Sequence, residues 1–559
     1  MPDGGPMAED TVSDLLDACA AAAPDQQVVL PDGRATWPGL RDLVRSDATA
    51  LLGLGVRPGD RVAVLLHGGL DAVRYWLAAA TIGAITVPLT VRMREREAAH
   101  LLGDAGPVLL LTTSEFLPLL EPHLPGATDT ETGTGTGTAL RTVVVLDRLG
   151  PDAPEGVTGR DALAAAVART TPDDLARARA AVGPDTPAIM LYTSGTTSQP
   201  RGCVHDHRSL TDEGAAVAER LGLTPDDRFW TPLPMFHCGG YDVALAALAG
   251  RCGFVHAGTF EPGRALDQLE TERATVAFPA FETIWLPVLD HPTFAARDLS
   301  ALRLVINVGS PERMRSMQAR VPQAVQLSCL GMTESFGFCC VGSPDDPPEF
   351  RATTSGRPLR HMEATVVDPD SGRPVPPGTP GEFRFRGTSR LAYYHRDPDT
   401  TAARIDAGGW FASGDQVVAD DDGRLRFRTR LRDVLKVGGE NVAAAEVEGF
   451  LSEHPAAGIV QVVGAPDARY GEVPCAFVEL RDGHPPSAEL AEEMIAFCLG
   501  RISTYKVPRY VRFVQEWPMS GTKVQKFRLT TRITDELAAA GITEAPRPGS
   551  PAPGASAPR

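Results

Sequence analysis

The chain has 559 residues and a mass of 59.4 kDa, room for about three or four domains or subdomains. Its 43% hydrophobic and 22% charged residues are the proportions of an ordinary globular protein and exclude global disorder. The net charge of −17 argues against nucleic acid as the main partner. No apolar run of about 18 residues is available to span a bilayer, and the acidic start MPDGGPMAEDTVSDLL is unlike a basic signal peptide. A cytoplasmic protein is expected.

In chain order, Leu40, Leu43, Val44, Ala48, Leu51 and Leu52 recur at helical spacing, with stops at Gly53 and Gly55. The run 61–66 reads as a buried strand, 70–82 as a helix, and 84–89, 108–111 and 143–146 as further strands. This alternation predicts a mostly parallel sheet covered on both faces, in an α/β domain. Residues 128–138 (TDTETGTGTGT) are expected to form a mobile surface loop, and 541–559 a disordered tail. From about 365 to 430 short strands with Pro/Gly turns suggest a small β-barrel or sandwich. After residue 430 an α+β pattern begins: helix 444–452, strands 459–463 and 476–480, helix 487–502 and strand 510–514. The expected division is therefore 1–430 and 431–535.

The nine cysteines are an odd number with no CxxC pair, which points to reduced, buried thiols. Only four of the 54 basic residues are lysines, Lys436, Lys506, Lys523 and Lys526. A lysine retained against such an arginine bias carries information.

The strand-like stretch 188–192 runs into Thr193, Ser194, Gly195, Thr196, Thr197, Ser198, Gln199, Pro200, Arg201 and Gly202. Such a turn can aim backbone N–H groups and hydroxyls at phosphate oxygens, and Arg201 can add a charge-assisted contact. It is not a Walker loop, because no Gly-Lys-Ser/Thr closes it. Further along come PMFHCGG (234–240), LGMTES (330–335), GEFRFRG (381–387), WFASGD (410–415), RLRDVLKVGGENVAAAEVE (430–448), YKVPR (505–509) and PMSGTKVQK (518–526). In this order the segments resemble the adenylate-forming superfamily of acyl-CoA synthetases, peptide-synthetase adenylation domains and luciferases. The resemblance covers roughly residues 35–530.

The resemblance implies an α/β fold: a large N-terminal domain of two mostly parallel sheets plus a small β-barrel-like subdomain, followed by a mobile α+β C-terminal domain. It also implies site residues. Thr193, Ser194, Gly195, Thr196, Thr197 and Arg201 would hold the ATP phosphates, Thr333 would contact the α-phosphate and Glu334 would bind Mg²⁺. Gly309, Ser310 and Pro311 would line the adenine pocket with Leu330, Gly331 and Met332, and Asp415, beside Arg430, would accept from the ribose hydroxyls. His237, also a candidate catalytic group, would border the acyl pocket with Cys238, Gly239, Phe281, Trp285 and Gly331, or Phe281 and Trp285 would pack in the core. The small residues Cys238, Gly239, Gly240 and Gly331 are expected to leave that pocket roomy. Gly438, Gly439, Glu440 and Asn441 would shape the thiol side, Arg432 would be the hinge, and Lys523 would be the adenylation lysine.

The chain departs from the family in Ser198 for a loop glycine, Arg201 for the loop lysine and Leu330 for an aromatic. Its lysine segment, 518–523, is one residue shorter and lacks Gly before Lys523. An extended residue spans about 3 Å, enough to misplace an ammonium. The expected activity is an acyl-CoA ligase using ATP, Mg²⁺ and coenzyme A on a small-molecule carboxylic acid. The alternatives are a thioesterifying enzyme fed a preformed acyl-adenylate by a separate adenylating enzyme, a stand-alone adenylation enzyme loading a carrier protein, and a non-catalytic ligand-binding relative.

Overall fold

Strands that read as unbroken apolar runs are buried on both faces. Successive side chains of a strand point to opposite sides, and along the strand Arg61–Leu65 the residues Val62 and Val64 enter one core cluster while Ala63 and Leu65 enter another. The computed structural model describes residues 10–125, 139–150, 153–193, 200–431, 434–437, 440–520 and 523–546. Over these residues the chain forms two compact units, one of 10–364 with 385–411 and one of 365–384 with 412–546.

The first unit holds two large sheets. One runs Val325–Leu327, Leu304–Val308, Val276–Phe281, Arg228–Thr231, Gly253–His256, Gln27–Leu30, Gly33–Thr36. Its strands are parallel except at the last pair. The other runs Tyr393–Tyr394, Gly202–Asp206, Pro187–Tyr192, Ile85–Pro88, Arg61–Leu65, Leu109–Thr112, Thr142–Val145, Val157–Gly159. It is parallel from Pro187–Tyr192 onward and antiparallel at the Tyr393–Tyr394 edge. The largest core cluster joins these sheets through the helices Val12–Ala22, Trp37–Gly53, Leu70–Thr81, His207–Arg220 and Cys238–Ala249. The helices Pro262–Thr271, Glu282–Leu289 and Pro311–Arg320 cover the outer face of the seven-stranded sheet, and Glu95–Ala105 covers that of the eight-stranded one. Each sheet is thereby covered on both faces, as strands with two apolar faces require. A short third sheet, Cys329–Met332, Gly337–Val341 and Arg357–Pro358, completes this unit.

The β-rich stretch after 365 forms a four-stranded sheet, Met362–Val367, Gly381–Gly387, Phe411–Ala419, Leu425–Arg430. The α+β pattern beyond it is a five-stranded sheet of Glu440–Ala443, Val434–Val437, Gly471–Leu480 and Ala457–Asp467, with Tyr510–Phe513 parallel to Gly471–Leu480. Helices Ala444–Leu451 and Ala488–Cys498 cover one face, and Lys526–Ala539 the other through Leu529, Ile533 and Leu537.

The expected loop 128–138 lies outside the described residues. Of the expected tail, 541–546 is described and is tied to the second unit: Ala545 N–H donates to Asp467 Oδ2 at 2.7 Å, and Thr543 O accepts from Ala468 N–H at 2.8 Å. One backbone pair and one bond to the Asp467 carboxylate anchor this stretch although it brings little apolar surface. All nine cysteines are buried. Among the described residues no helix is long and apolar enough to cross a membrane.

Candidate active site

In open α/β sheets ligands bind beyond the carboxyl ends of the strands. Four neighbouring parallel strands of the seven-stranded sheet, Arg228–Thr231, Val276–Phe281, Leu304–Val308 and Val325–Leu327, lead in turn to His237, to Phe281 itself, to Gly309, Ser310 and Pro311, and to Leu330, Gly331, Met332, Thr333 and Glu334. One sheet edge therefore carries segments scattered over about a hundred residues.

Each segment is fixed locally. His237 caps the helix Cys238–Ala249: its Nδ1 accepts from Gly239 N–H at 3.2 Å and lies 3.7 Å from Cys238 Sγ. The cap places the ring proton on Nε2. Ser310 caps Pro311–Arg320, with its hydroxyl accepting from Arg313 N–H at 3.3 Å. Phe281 follows Ala280, which has a left-handed φ of 66° at a bulge in its strand. Strain of this kind in a non-glycine residue often marks a functional edge, yet the segment FPAFE carried no sign of it.

The Thr333–Ser335 turn is held from several sides. His205 is fully buried, and burial pushes its imidazole down to about 3. It therefore stays neutral and donates from Nε2 to Thr333 O at 2.9 Å. Its ring also meets Phe336, which has a left-handed φ of 55°, edge-on at 5.1 Å. Ser335 Oγ donates to Gly337 O at 2.9 Å. Glu334 Oε1 accepts from the hydroxyl of Tyr394 at 2.9 Å. Burial first, and the Glu334 charge second, push the Tyr394 phenol far above its usual range, so it remains a proton donor.

Opposite Tyr394 across the sheet edge lies the base of the hydroxyl-rich loop. Tyr394 pairs in register with Cys203. Thr193 N–H donates to Arg201 O at 3.0 Å, closing the hairpin, and His100 Nε2 donates to Pro200 O at 2.9 Å. Arg201 Nε meets Asp397 Oδ2 at 3.0 Å. Ser194, Gly195, Thr196 and Thr197 lie outside the described residues, as does Ser198. A cavity of about 500 Å³ beside this segment is lined by Arg390, Tyr393, Tyr394, Arg396 and Asp397 among others.

Gly331 and Gly239, expected among the small residues of the acyl pocket, each approach protein atoms on the side a Cβ would occupy. A Cβ on Gly331 would stand 1.7 Å from Gly337 O, and one on Gly239 would stand 2.3 Å from Leu233 Cδ1. Trp285 is fully buried in the cluster on the outer face of the seven-stranded sheet, so of its two readings core packing holds. Leu330 and Met332 are likewise buried, at 7% exposure each.

In the second unit Asp415, 2% exposed, pairs in register with Arg430, and Arg430 Nε meets Asp415 Oδ1 at 2.8 Å. Val437 pairs with Glu440 and Lys436 with Asn441 across a hairpin. Gly438 and Gly439 between them lie outside the described residues, as do Arg432 and the side chains of Glu440 and Asn441. Ser520 pairs with Lys523 in a two-stranded ribbon, and the Lys523 side chain also lies outside the described set. Lys506 and Lys526 are engaged by Glu446 and Glu448, each at 2.5 Å.

Sequence reasoning missed Tyr394, Asp397 and His205, and a pair of buried acids behind the Gly337–Val341 strand. Glu213 Oε1 accepts from Phe338 N–H at 3.2 Å, and its Oε2 lies 3.0 Å from His361 Nε2 and accepts from Ser389 Oγ at 2.9 Å. Asp242 packs so closely on Gly337 that a Cβ there would stand 1.7 Å from its Oδ2. Burial, reinforced by Glu213, holds the Asp242 carboxyl well above the usual range. An acid amid CGGYDVALAALA was the available signal.

The AMP-binding enzyme family profile matches residues 16–395, and that of the AMP-binding enzyme C-terminal domain matches 446–523. A (7a-methyl-1,5-dioxo-octahydro-1H-inden-4-yl)propanoyl:CoA ligase of Mycobacterium tuberculosis is 34% identical over 93% of this chain and 98% of its own. The mitochondrial medium-chain acyl-CoA ligase ACSF2 of Bos taurus is 30% identical over 94% of this chain and 88% of its own. The crystal structure of the anthranilate CoA ligase AuaEII in complex with anthranoyl-AMP superposes with a TM-score of 0.83 at 26% identity, over 95% of this chain and 98% of that one. The chain belongs to the AMP-binding enzyme family. It is an ATP-dependent, AMP-forming acid-thiol ligase, with ATP, Mg²⁺ and coenzyme A as cofactors.

Proposed function

We propose that the chain carries out both half-reactions of an acyl-CoA ligase on a small-molecule carboxylic acid. A carboxylate oxygen attacks the α-phosphorus of ATP, giving acyl-AMP and pyrophosphate; the coenzyme A thiolate then attacks the acyl carbon and AMP leaves. In the first step two anions must meet, so the protein's task is to align them and offset their repulsion. The observation that supports this reading most is the sheet edge that carries His237, Phe281, Gly309, Ser310 and Pro311 together with the Thr333–Ser335 turn.

In this reading Arg201 meets the phosphates, Thr333 the α-phosphate, and Asp415 with Arg430 the ribose. Lys523 serves adenylation, while the 438–441 hairpin serves the thiol, with the second unit turning about Arg432 between steps. Among the described residues no three or more His, Cys, Asp or Glu gather as a metal cage. One carboxylate, Glu334, with nucleotide phosphates as the other ligands is the usual manner of holding Mg²⁺, and the site fits it. The acceptor is taken to be free coenzyme A rather than a carrier protein, and the setting the cytoplasm.

A second reading, thioesterification of a preformed acyl-adenylate, is favoured by one feature: the lysine segment 518–523 is a residue short. Mass spectrometry of products from an acid panel with ATP and coenzyme A tests the main reading. Acyl-CoA with AMP and pyrophosphate is expected; acyl-AMP as the end product, or no product with any acid, contradicts it.

A further inference from the structure

Glu334 lies in the turn after the strand Cys329–Met332 and Arg201 just before the strand Gly202–Asp206, strands of different sheets, yet both are held by one short segment. Tyr394 lies at 5% exposure in the strand Tyr393–Tyr394, and its hydroxyl donates to Glu334 Oε1 at 2.9 Å. Leu391 N–H donates to Glu334 O at 2.8 Å, so the segment grips the main chain of that residue too. Three residues beyond Tyr394, Asp397 divides its carboxylate between two tasks. Its Oδ1 caps the helix Pro398–Arg404 by accepting from Thr400 N–H at 3.0 Å, and its Oδ2 meets Arg201 Nε at 3.0 Å. Thr401 ties the two ends together: its Oγ1 accepts from Tyr394 N–H at 3.0 Å and donates to Asp397 O at 2.8 Å. Between them Arg396 takes a left-handed φ of 52°, a conformation that a non-glycine residue keeps only where its surroundings impose it.

We infer that Tyr394 and Asp397 are the positioning residues of the phosphate site, Tyr394 orienting the Glu334 carboxylate and Asp397 the Arg201 guanidinium. The inference rests on the proposed function in taking those two groups to face cation and phosphate. A half-buried carboxylate without a donor would sample several rotamers. One hydroxyl bound to Oε1 fixes where Oε2 points. The Arg201–Asp397 pair has side chains 40% and 30% exposed, so it is weak and can yield Arg201 to a polyphosphate while keeping the guanidinium nearby until then. Because the two contacts lie on one strand-turn-helix segment, acid and cation are set relative to each other.

Binding of a non-hydrolysable ATP analogue to the full-length protein, measured by calorimetry with Mg²⁺ and with EDTA, tests this without turnover. Phe at 394 keeps the ring and Asn at 397 keeps the helix cap. Tyr394→Phe should cut the Mg²⁺-dependent gain in affinity about tenfold, the scale of one lost hydrogen bond to a charged group, and leave affinity in EDTA unchanged. In a Glu334→Gln background it should have no effect. Asp397→Asn should change affinity in EDTA several-fold, and not at all in an Arg201→Gln background. Equal effects in the two backgrounds would mean general damage to the fold and would overturn the inference for the residue concerned. Failure of the unaltered protein to bind the analogue would instead defeat the proposed function itself.

Discussion

At the scale of single residues, Glu334 is proposed for the step in which charge builds on phosphate. Glu334→Gln should therefore lower acyl-AMP formation by about 100-fold or more, the range for removing one electrostatic group, while conversion of supplied acyl-AMP to the thioester changes by only about threefold. Parallel single-turnover assays separate the two steps, and an equal loss in both would refute the role. The sequence marked Glu334, Thr333 and Arg201 as candidates, but not the groups that hold them, Tyr394, His205 and Asp397. A packing reason for glycine at 331 was not legible: the close approach to Gly337 O is made by a partner strand that the local sequence does not reveal.

At the scale of elements, the helix Cys238–Ala249 carries a testable electrostatic cost. Asp242 is 1% exposed, faces Glu213 and Cys329, and has its carboxyl well above the usual range because of burial. In the unfolded chain the same group ionises near pH 4. As pH rises above that value the unfolded state loses a proton that the folded state keeps, so folding stability falls. Asp242→Asn removes this cost. The variant should melt a few degrees above the parent at pH 7, and the gap should close toward pH 4; a gap constant with pH would show that the carboxyl is not held protonated. Elements themselves were largely legible. The runs at 61–66, 84–89, 108–111 and 143–146 correspond to Arg61–Leu65, Ile85–Pro88, Leu109–Thr112 and Thr142–Val145, because strands buried on both faces must be apolar throughout. The helix Lys526–Ala539 was overlooked although Leu529, Ile533 and Leu537 recur every four residues. The two-residue strand Tyr393–Tyr394, which positions Glu334, is too short to show any period.

At the scale of the molecule, the sequence motifs of one reaction are divided between two compact units. Glu334, Arg201, His237 and the Gly309, Ser310, Pro311 turn belong to the first, and Asp415, Arg430, Lys523 and the 438–441 hairpin to the second. The proposed reaction draws on groups from both units, with a lysine for one step and the glycine pair for the other. The proposed function requires this chain to perform the adenylation step itself, despite its shortened lysine segment. Exchange of labelled pyrophosphate into ATP, in the presence of an acid that yields a thioester, addresses it directly. Robust exchange that depends on the acid and is lost in Lys523→Ala is expected. No exchange, alongside rapid conversion of acyl-AMP and coenzyme A to acyl-CoA, would contradict the claim.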